Sequence, residues 1–314
     1  MGTTAAAAAL GIDLGGTKIE ARLFGANGQE RWRRRVATPA GDYAATVQSL
    51  RGLVDAARIE AGGDFTVGIG TPGTAMADSR MKNCNSTCLN GMPLQADIEA
   101  AIGQPVALMN DANCLVLSEA TNGAGAGQAV VFAVILGTGT GAGVSVNGSV
   151  LVGANGLAGE WGHNALPWAD AAEIESSGNH LCYCGRRGCI EALVCGPAVA
   201  RDHAARNGGG LDAAAIAALA TAGDVAANAT LERHAERLAR ALAGVINLLD
   251  PDVIVLGGGL SLMPHLYDTV PRLWGRWVFS AGSEEPVRTR LLPALHGDAS
   301  GVRGAAWFGR SAAA

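Results

Sequence analysis

Leu10-Gly-Ile-Asp-Leu-Gly-Gly-Thr-Lys-Ile-Glu-Ala-Arg-Leu-Phe24 and Val134-Ile-Leu-Gly-Thr-Gly-Thr-Gly-Ala-Gly-Val-Ser-Val146 are written to one plan. Each is an apolar run, a glycine/threonine turn and a second apolar run, which predicts two strands joined tightly. A polar turn follows each copy, Ala26-Asn27-Gly28 in the first and Asn147-Gly148 in the second, and then a third strand. Asn-Gly between apolar runs is a strong hairpin signal. The repetition predicts an internal duplication at domain scale: two related α/β lobes with a cleft between them. The boundaries expected are 1–122, completed by a C-terminal helix at 300–314, and 123–299 with an insertion at 160–191.

Working outward from the first copy, strands are expected at Ala9 to Asp13, Ile19 to Phe24 and Gln29 to Val36, then a helix from Tyr43 to Ala61. Further strands are expected at Thr66 to Gly70 and Pro105 to Met109, then a helix from Ala112 to Asn122 capped by Asn110 or Asp111. The second copy continues into an amphipathic helix, Val225 to Leu249, a buried strand, Val253 to Leu256, and the turn Gly257-Gly258-Gly259. A last helix is expected from Gly301 to Phe308.

The 314 residues suffice for two cores, and 45 glycines fall in turns between apolar runs rather than in one block. A net charge of −5 without a basic stripe argues against nucleic acid or anionic membrane as partner. The longest apolar run, Ala129 to Leu136, is short of the ~20 residues of a membrane span. The alanine tract at Met1 to Leu10 lacks the basic start of a signal peptide, so a cytoplasmic protein is expected. An odd count of seven cysteines suits a reducing compartment. Cys84, Cys88, Cys114 and Cys195 read as small core residues.

The other three cysteines carry chemistry. Glu160-Trp-Gly-His163 is followed by Cys182-Tyr-Cys184-Gly-Arg-Arg-Gly-Cys189-Ile-Glu191. Zn²⁺ favours tetrahedral thiolate and imidazole ligands, and Gly185 and Gly188 let a short loop wrap three sulfurs round one ion. His163 is the expected fourth ligand, with His180 as the rival. Four protein ligands leave no open position, so the zinc is expected to be structural. Glu160, His163 and Glu191, fixed beside it, suit hydrogen bonding to vicinal hydroxyls of a sugar.

Glycine/threonine turns expose backbone N–H groups to a phosphate chain. Asp13, Gly15, Gly16, Thr17 and Lys18 form one such turn, with Asp13 placed to hold Mg²⁺ directly or through water. Gly137, Thr138 and Gly139 form the opposing turn, and Gly257, Gly258 and Gly259 suit a nucleoside packed on bare backbone. Asn110-Asp111 ends a strand and opens a helix, the usual place for ligand chemistry in an open α/β sheet. Asp111 is the candidate general base, weighed against a plain helix cap.

Together these residues resemble the ROK family, bacterial sugar kinases and sugar-responsive repressors with a duplicated actin-like, hexokinase-type (ribonuclease H-like) ATPase fold. The likeness runs from Gly11 to about Phe308. It rests most specifically on Glu160, Gly162, His163, Cys182, Cys184, Gly185, Gly188, Cys189 and Glu191. The resemblance implies Asp111 as catalytic base; Asn85, Asn110, Asp111, Glu160, His163 and Glu191 as sugar contacts; and ATP, Mg²⁺ and zinc as cofactors. It also implies a homodimer. Asn83-Cys-Asn-Ser-Thr with Leu89-Asn-Gly, Gly159 to Trp168, and Asp298 to Trp307 look most like the fructokinase (mannokinase) branch, so fructose is the expected acceptor. Cys88 departs from that branch, where an aromatic residue is expected, as does the 19-position interval from His163 to Cys182. Glucokinase and N-acetylhexosamine kinase are the alternatives within the family. A non-catalytic sugar sensor is the alternative of another class, set against the absence of room for a helix-turn-helix before Asp13.

Overall fold

The computed structural model describes residues 8–313 apart from 172, 174 and 176–179. The first seven residues of the alanine tract and part of the His163–Cys182 interval lie outside the described residues. The chain forms two compact units. One runs to Ser118 and takes in Val152–Ala158 and the segment from Ala299; the other comprises Glu119–Leu151 and Gly159–Asp298.

In the first unit, β1 (Ala8–Leu14), β2 (Lys18–Phe24), β3 (Glu30–Ala37), β4 (Phe65–Thr71) and β7 (Val106–Asn110) make a sheet ordered β3-β2-β1-β4-β7. The small ribbon of β5 (Thr74–Ala75) and β6 (Met81–Lys82) lies apart from it. β1, β4 and β7 are parallel, and β2 and β3 are antiparallel. The first turn is tighter than the sequence predicts, since Lys18 already belongs to β2, leaving Gly15, Gly16 and Thr17 to reverse the chain. The helix Tyr43–Ala61 is capped by Asp42, whose carboxylate accepts from the Ala45 N–H, and stops at Gly62 with φ of 67°.

The last helix, Ser300–Ala312, belongs to the same unit and is longer than predicted, its buried face reaching Gly309, which meets the backbone of Gly68. It lies against β1 and β4 at glycines. A Cβ on Gly11 would sit 1.9 Å from the Val302 carbonyl oxygen, and one on Gly68 1.8 Å from that of Ala305. Only glycine permits this backbone approach.

The second unit repeats the plan. β8 (Val130–Leu136), β9 (Thr140–Val146), β10 (Ser149–Val150), β11 (Val253–Gly257) and β12 (Arg290–Pro293) make a sheet ordered β10-β9-β8-β11-β12. β8, β11 and β12 are parallel, with β9 antiparallel to β8. The helix Val225–Leu249, capped by Asp224, buries Leu231, Leu238, Leu242 and Ile246 in this unit's core. In each unit the glycine-rich turns therefore leave the C-terminal ends of parallel strands, where open α/β sheets bind ligands. No single helix among the described residues is long and apolar enough to cross a membrane.

Candidate active site and metal centre

At the strand ends of the first unit stand Asp13, Asn110 and Asp111. The Asn110 carboxamide oxygen accepts from the N–H groups of Ala112 (2.9 Å) and Asn113 (3.3 Å), so Asn110 caps the helix Asp111–Asn122. Its amide donates to the Gly73 carbonyl at 3.2 Å, fixing the strand end. Asp111 Oδ1 accepts from Ala112 N at 2.7 Å. Burial raises the Cys114 thiol, with the charges of Asp111 and Asp13 adding to the rise. Asn85 is exposed in the loop after β6, and its neighbour Ser86 lies against the first glycine turn. Asn90, quoted in the Leu89-Asn-Gly stretch but given no role there, holds that loop: its carboxamide accepts from Cys84 N at 2.9 Å and donates to Cys84 O at 3.0 Å.

Burial pushes the Asp13 carboxyl up to about 6, with Glu20 adding to the rise and Lys18 and Arg35 opposing it. Behind it, Glu20 accepts from Arg22 at 2.7 Å and pairs with Arg35, and Arg22 reaches Glu30 at 2.7 Å. These cations are committed to Glu20 and Glu30. A divalent cation at Asp13 would relieve the raised carboxyl, so the donor fits Mg²⁺.

The shift has a sign. A carboxyl raised by folding costs stability once it must ionise, so the cost is absent below about pH 4 and complete above about pH 6. In magnesium-free buffer Asp13→Asn should therefore gain on the natural protein by on the order of 2–3 kcal/mol between pH 4 and pH 7.5. Melting temperatures of both proteins across that range check this, and parallel curves would contradict it.

In the second unit, Gly137 N donates to Gly139 O at 3.0 Å, closing the second turn, with Thr138 exposed. Gly258, at φ of 81°, packs so close to the end of β8 that a Cβ would lie 2.4 Å from the Leu136 carbonyl oxygen. The third turn thus adjoins the second. Beside Gly259 a cavity of about 640 Å³ opens between the helix Ala213–Thr221 and the segment Leu262–His265.

Glu160 precedes and His163 ends a short 3-10 turn, Trp161–His163. Trp161 is buried and meets Phe132 of β8 edge-on, with centroids 5.8 Å apart at 87°. A Cβ on Gly162 would stand 2.1 Å from the Thr140 carbonyl oxygen, so the turn is pressed on β9. Sequence reasoning left Trp161 unassigned; its anchoring role depends on a partner nearly 30 positions away.

Cys182, Cys184, Cys189 and His163 bring one donor atom each to within 4.8 Å of one another. Cys184 and Cys189 sulfurs are 3.6 Å apart, and Cys182 Sγ is 3.5 Å from His163 Nδ1. Zn–S bonds of about 2.3 Å in a tetrahedron give edges of about 3.8 Å, so the set fits zinc. His180 is not among the converging donors. The loop is shaped by Gly185 N donating to Cys182 O (2.8 Å) and Cys182 N to Arg186 O (2.9 Å). Leu166 N to Gly188 O and Ile190 N to Asn164 O, both 2.9 Å, stitch it to the segment after His163.

Glu191 links this cluster to the second turn. Its Oε2 accepts from Thr140 N at 2.9 Å and its Oε1 lies 3.7 Å from Cys182 Sγ. Burial holds the Glu160 carboxyl above the ordinary glutamate range, with His163 lowering it and Glu191 raising it. Burial keeps the Cys84 thiol up at about 12, and Cys114 and Cys195 are likewise raised and buried.

Two sheets of one topology, with glycine-rich turns at their parallel strand ends, define the duplicated actin-like, hexokinase-type class. A model of the ROK family matches residues 9–311. An N-acetyl-D-glucosamine kinase of Yersinia enterocolitica is 38% identical over 95% of this chain and 98% of its own. One from Photobacterium profundum is 38% identical at the same coverage of both. A ROK hexokinase from Thermus thermophilus superimposes with a TM-score of 0.79 at 32% identity, covering 96% of this chain and 97% of that one. A ROK family glucokinase from Streptomyces griseus, solved with glucose and AMPPNP, gives 0.79 at 29% identity over 97% and 99%. The chain belongs to the ROK family, among its sugar kinases.

Proposed function

We propose that this protein transfers the γ-phosphoryl group of ATP to the primary hydroxyl of an N-acetylhexosamine, with N-acetylglucosamine preferred. The observation that carries the choice of sugar is the 38% identity, over 95% of the chain, to a protein named N-acetyl-D-glucosamine kinase. Asp111 accepts the proton of the attacking hydroxyl. The sugar oxygen bonds to the γ-phosphorus as the bond to the β–γ bridging oxygen breaks, and ADP leaves. Asn85, Asn110, Glu160, His163 and Glu191 bind the sugar, and the turns at Asp13 to Lys18 and Gly137 to Gly139 bind the phosphates. The cavity beside Gly259 suits the nucleoside. Magnesium, held at Asp13 directly or through water, would neutralise phosphate charge; zinc on His163, Cys182, Cys184 and Cys189 would fix Glu160 and Glu191 without entering the reaction.

Fructose stands second as acceptor. The stretches at 83–91, 159–168 and 298–307 favour it, but the curated relatives above are named for N-acetylglucosamine. A sugar sensor without catalysis fits less well, because both glycine turns and Asp111 are intact. The product decides between positions on the sugar. Incubation with magnesium, ATP and N-acetylglucosamine should yield ADP and a phosphate whose ³¹P signal couples to the two methylene protons of a primary carbon. A ring-carbon phosphate would contradict the proposed acceptor hydroxyl.

A further inference from the structure

We infer that the hydroxyl of Tyr183 is a built-in occupant of the sugar-binding edge of His163, which an incoming sugar must displace. The inference rests on the sugar-kinase reading above and deepens it. Tyr183 lies between Cys182 and Cys184, and its ring meets the His163 imidazole edge-on, centroids 4.9 Å apart at 88°. Its hydroxyl is 2.9 Å from His163 Nε2. An imidazole has two ring nitrogens, and Nδ1 is committed to the donor cluster, 3.5 Å from Cys182 Sγ. With a metal on Nδ1, Nε2 carries the proton and is the one donor His163 can offer a ligand. Tyr183 takes that donor.

The position is also the right one for a sugar mimic. Glu160 Oε2 lies 3.9 Å from the same nitrogen. A hydroxyl on the His163 Nε2 edge, with a carboxylate oxygen 3.9 Å from the same nitrogen, has the surroundings expected of a sugar hydroxyl. Tyr183 nevertheless remains 63% exposed, whereas Trp161 in the adjoining turn is 6% exposed. Swinging Tyr183 outward therefore costs one hydrogen bond and little packing, so the free protein divides between a covered and an open His163. Apparent sugar affinity is the intrinsic affinity reduced by the open fraction. The net worth of one neutral hydrogen bond corresponds to an open fraction of about one in five.

Tyr183→Phe keeps the ring and removes the competitor. The sugar Kd, measured by calorimetry without nucleotide, and the sugar KM should both fall about three- to ten-fold. The turnover number should hold within about two-fold, and zinc content should match that of the natural protein. A KM and Kd that stay put or rise would overturn the role given to Tyr183. That result is separable from failure of the kinase reading, in which the natural protein itself would neither bind nor phosphorylate any hexose.

Discussion

Asp111→Ala should lower kcat by about 10²- to 10⁴-fold while the sugar Kd moves far less. Asp111 opens a helix, and a residue there could serve only as a cap. The cap is supplied by its neighbour: Asn110 Oδ1 receives the N–H groups of both Ala112 and Asn113. Removing the Asp111 carboxylate withdraws a second acceptor from Ala112 and leaves the Asn110 cap in place. Melting temperature should consequently change little, and lost turnover cannot be ascribed to a lost helix. Asn110→Ala makes the complementary comparison, because it removes the cap, with a stability cost of about 1 kcal/mol. Turnover near that of the natural protein in Asp111→Ala would remove Asp111 from the base role.

Cys184→Ser should reduce bound zinc from one per chain to near zero after dialysis and raise the sugar KM by at least about ten-fold. Cys182 and Cys189 are buried, so replacing either would disturb packing as well as ligation. Cys184 is exposed, and its loss reports on the metal alone. In the proposed site the route to the sugar runs through His163, whose Nδ1 belongs to the cluster, and through Glu191, whose carboxylate spans Cys182 and Thr140 N. Without the ion three sulfurs and an imidazole are left without their common partner, and both carboxylates lose their fixed frame. A variant retaining full zinc and an unchanged KM would contradict the ligand set.

The duplication was legible because a glycine/threonine turn between two apolar runs is a local pattern, and it occurs twice. The convergence of His163 with three cysteines was legible for the same reason: three cysteines within eight positions need only their loop glycines to come together. What stayed hidden is what the fold brings together from afar. Nothing local in Tyr183 marks it as a partner of His163, and nothing in Glu191 points to Thr140, 51 positions away. Gly11 and Gly68 fall inside expected strands with no local sign of why glycine stands there, and the reason lies in the helix Ser300–Ala312. The acceptor was the hardest part to read. N-acetylglucosamine and fructose differ at a few contacts worth a few kcal/mol, and such differences are spread over loops rather than concentrated in a motif. Short stretches resembling the fructokinase branch therefore weigh less than likeness over the whole chain.

Phosphorylation of N-acetylglucosamine is the activity on which everything above depends. It is tested most directly by ADP release in magnesium and ATP with N-acetylglucosamine, N-acetylmannosamine, glucose, mannose and fructose in parallel. Sugar-dependent release is expected, with kcat/KM for N-acetylglucosamine exceeding that for each other sugar by at least about ten-fold. Release led by fructose or another hexose would contradict the assigned acceptor, and release that no sugar stimulates would contradict the kinase itself.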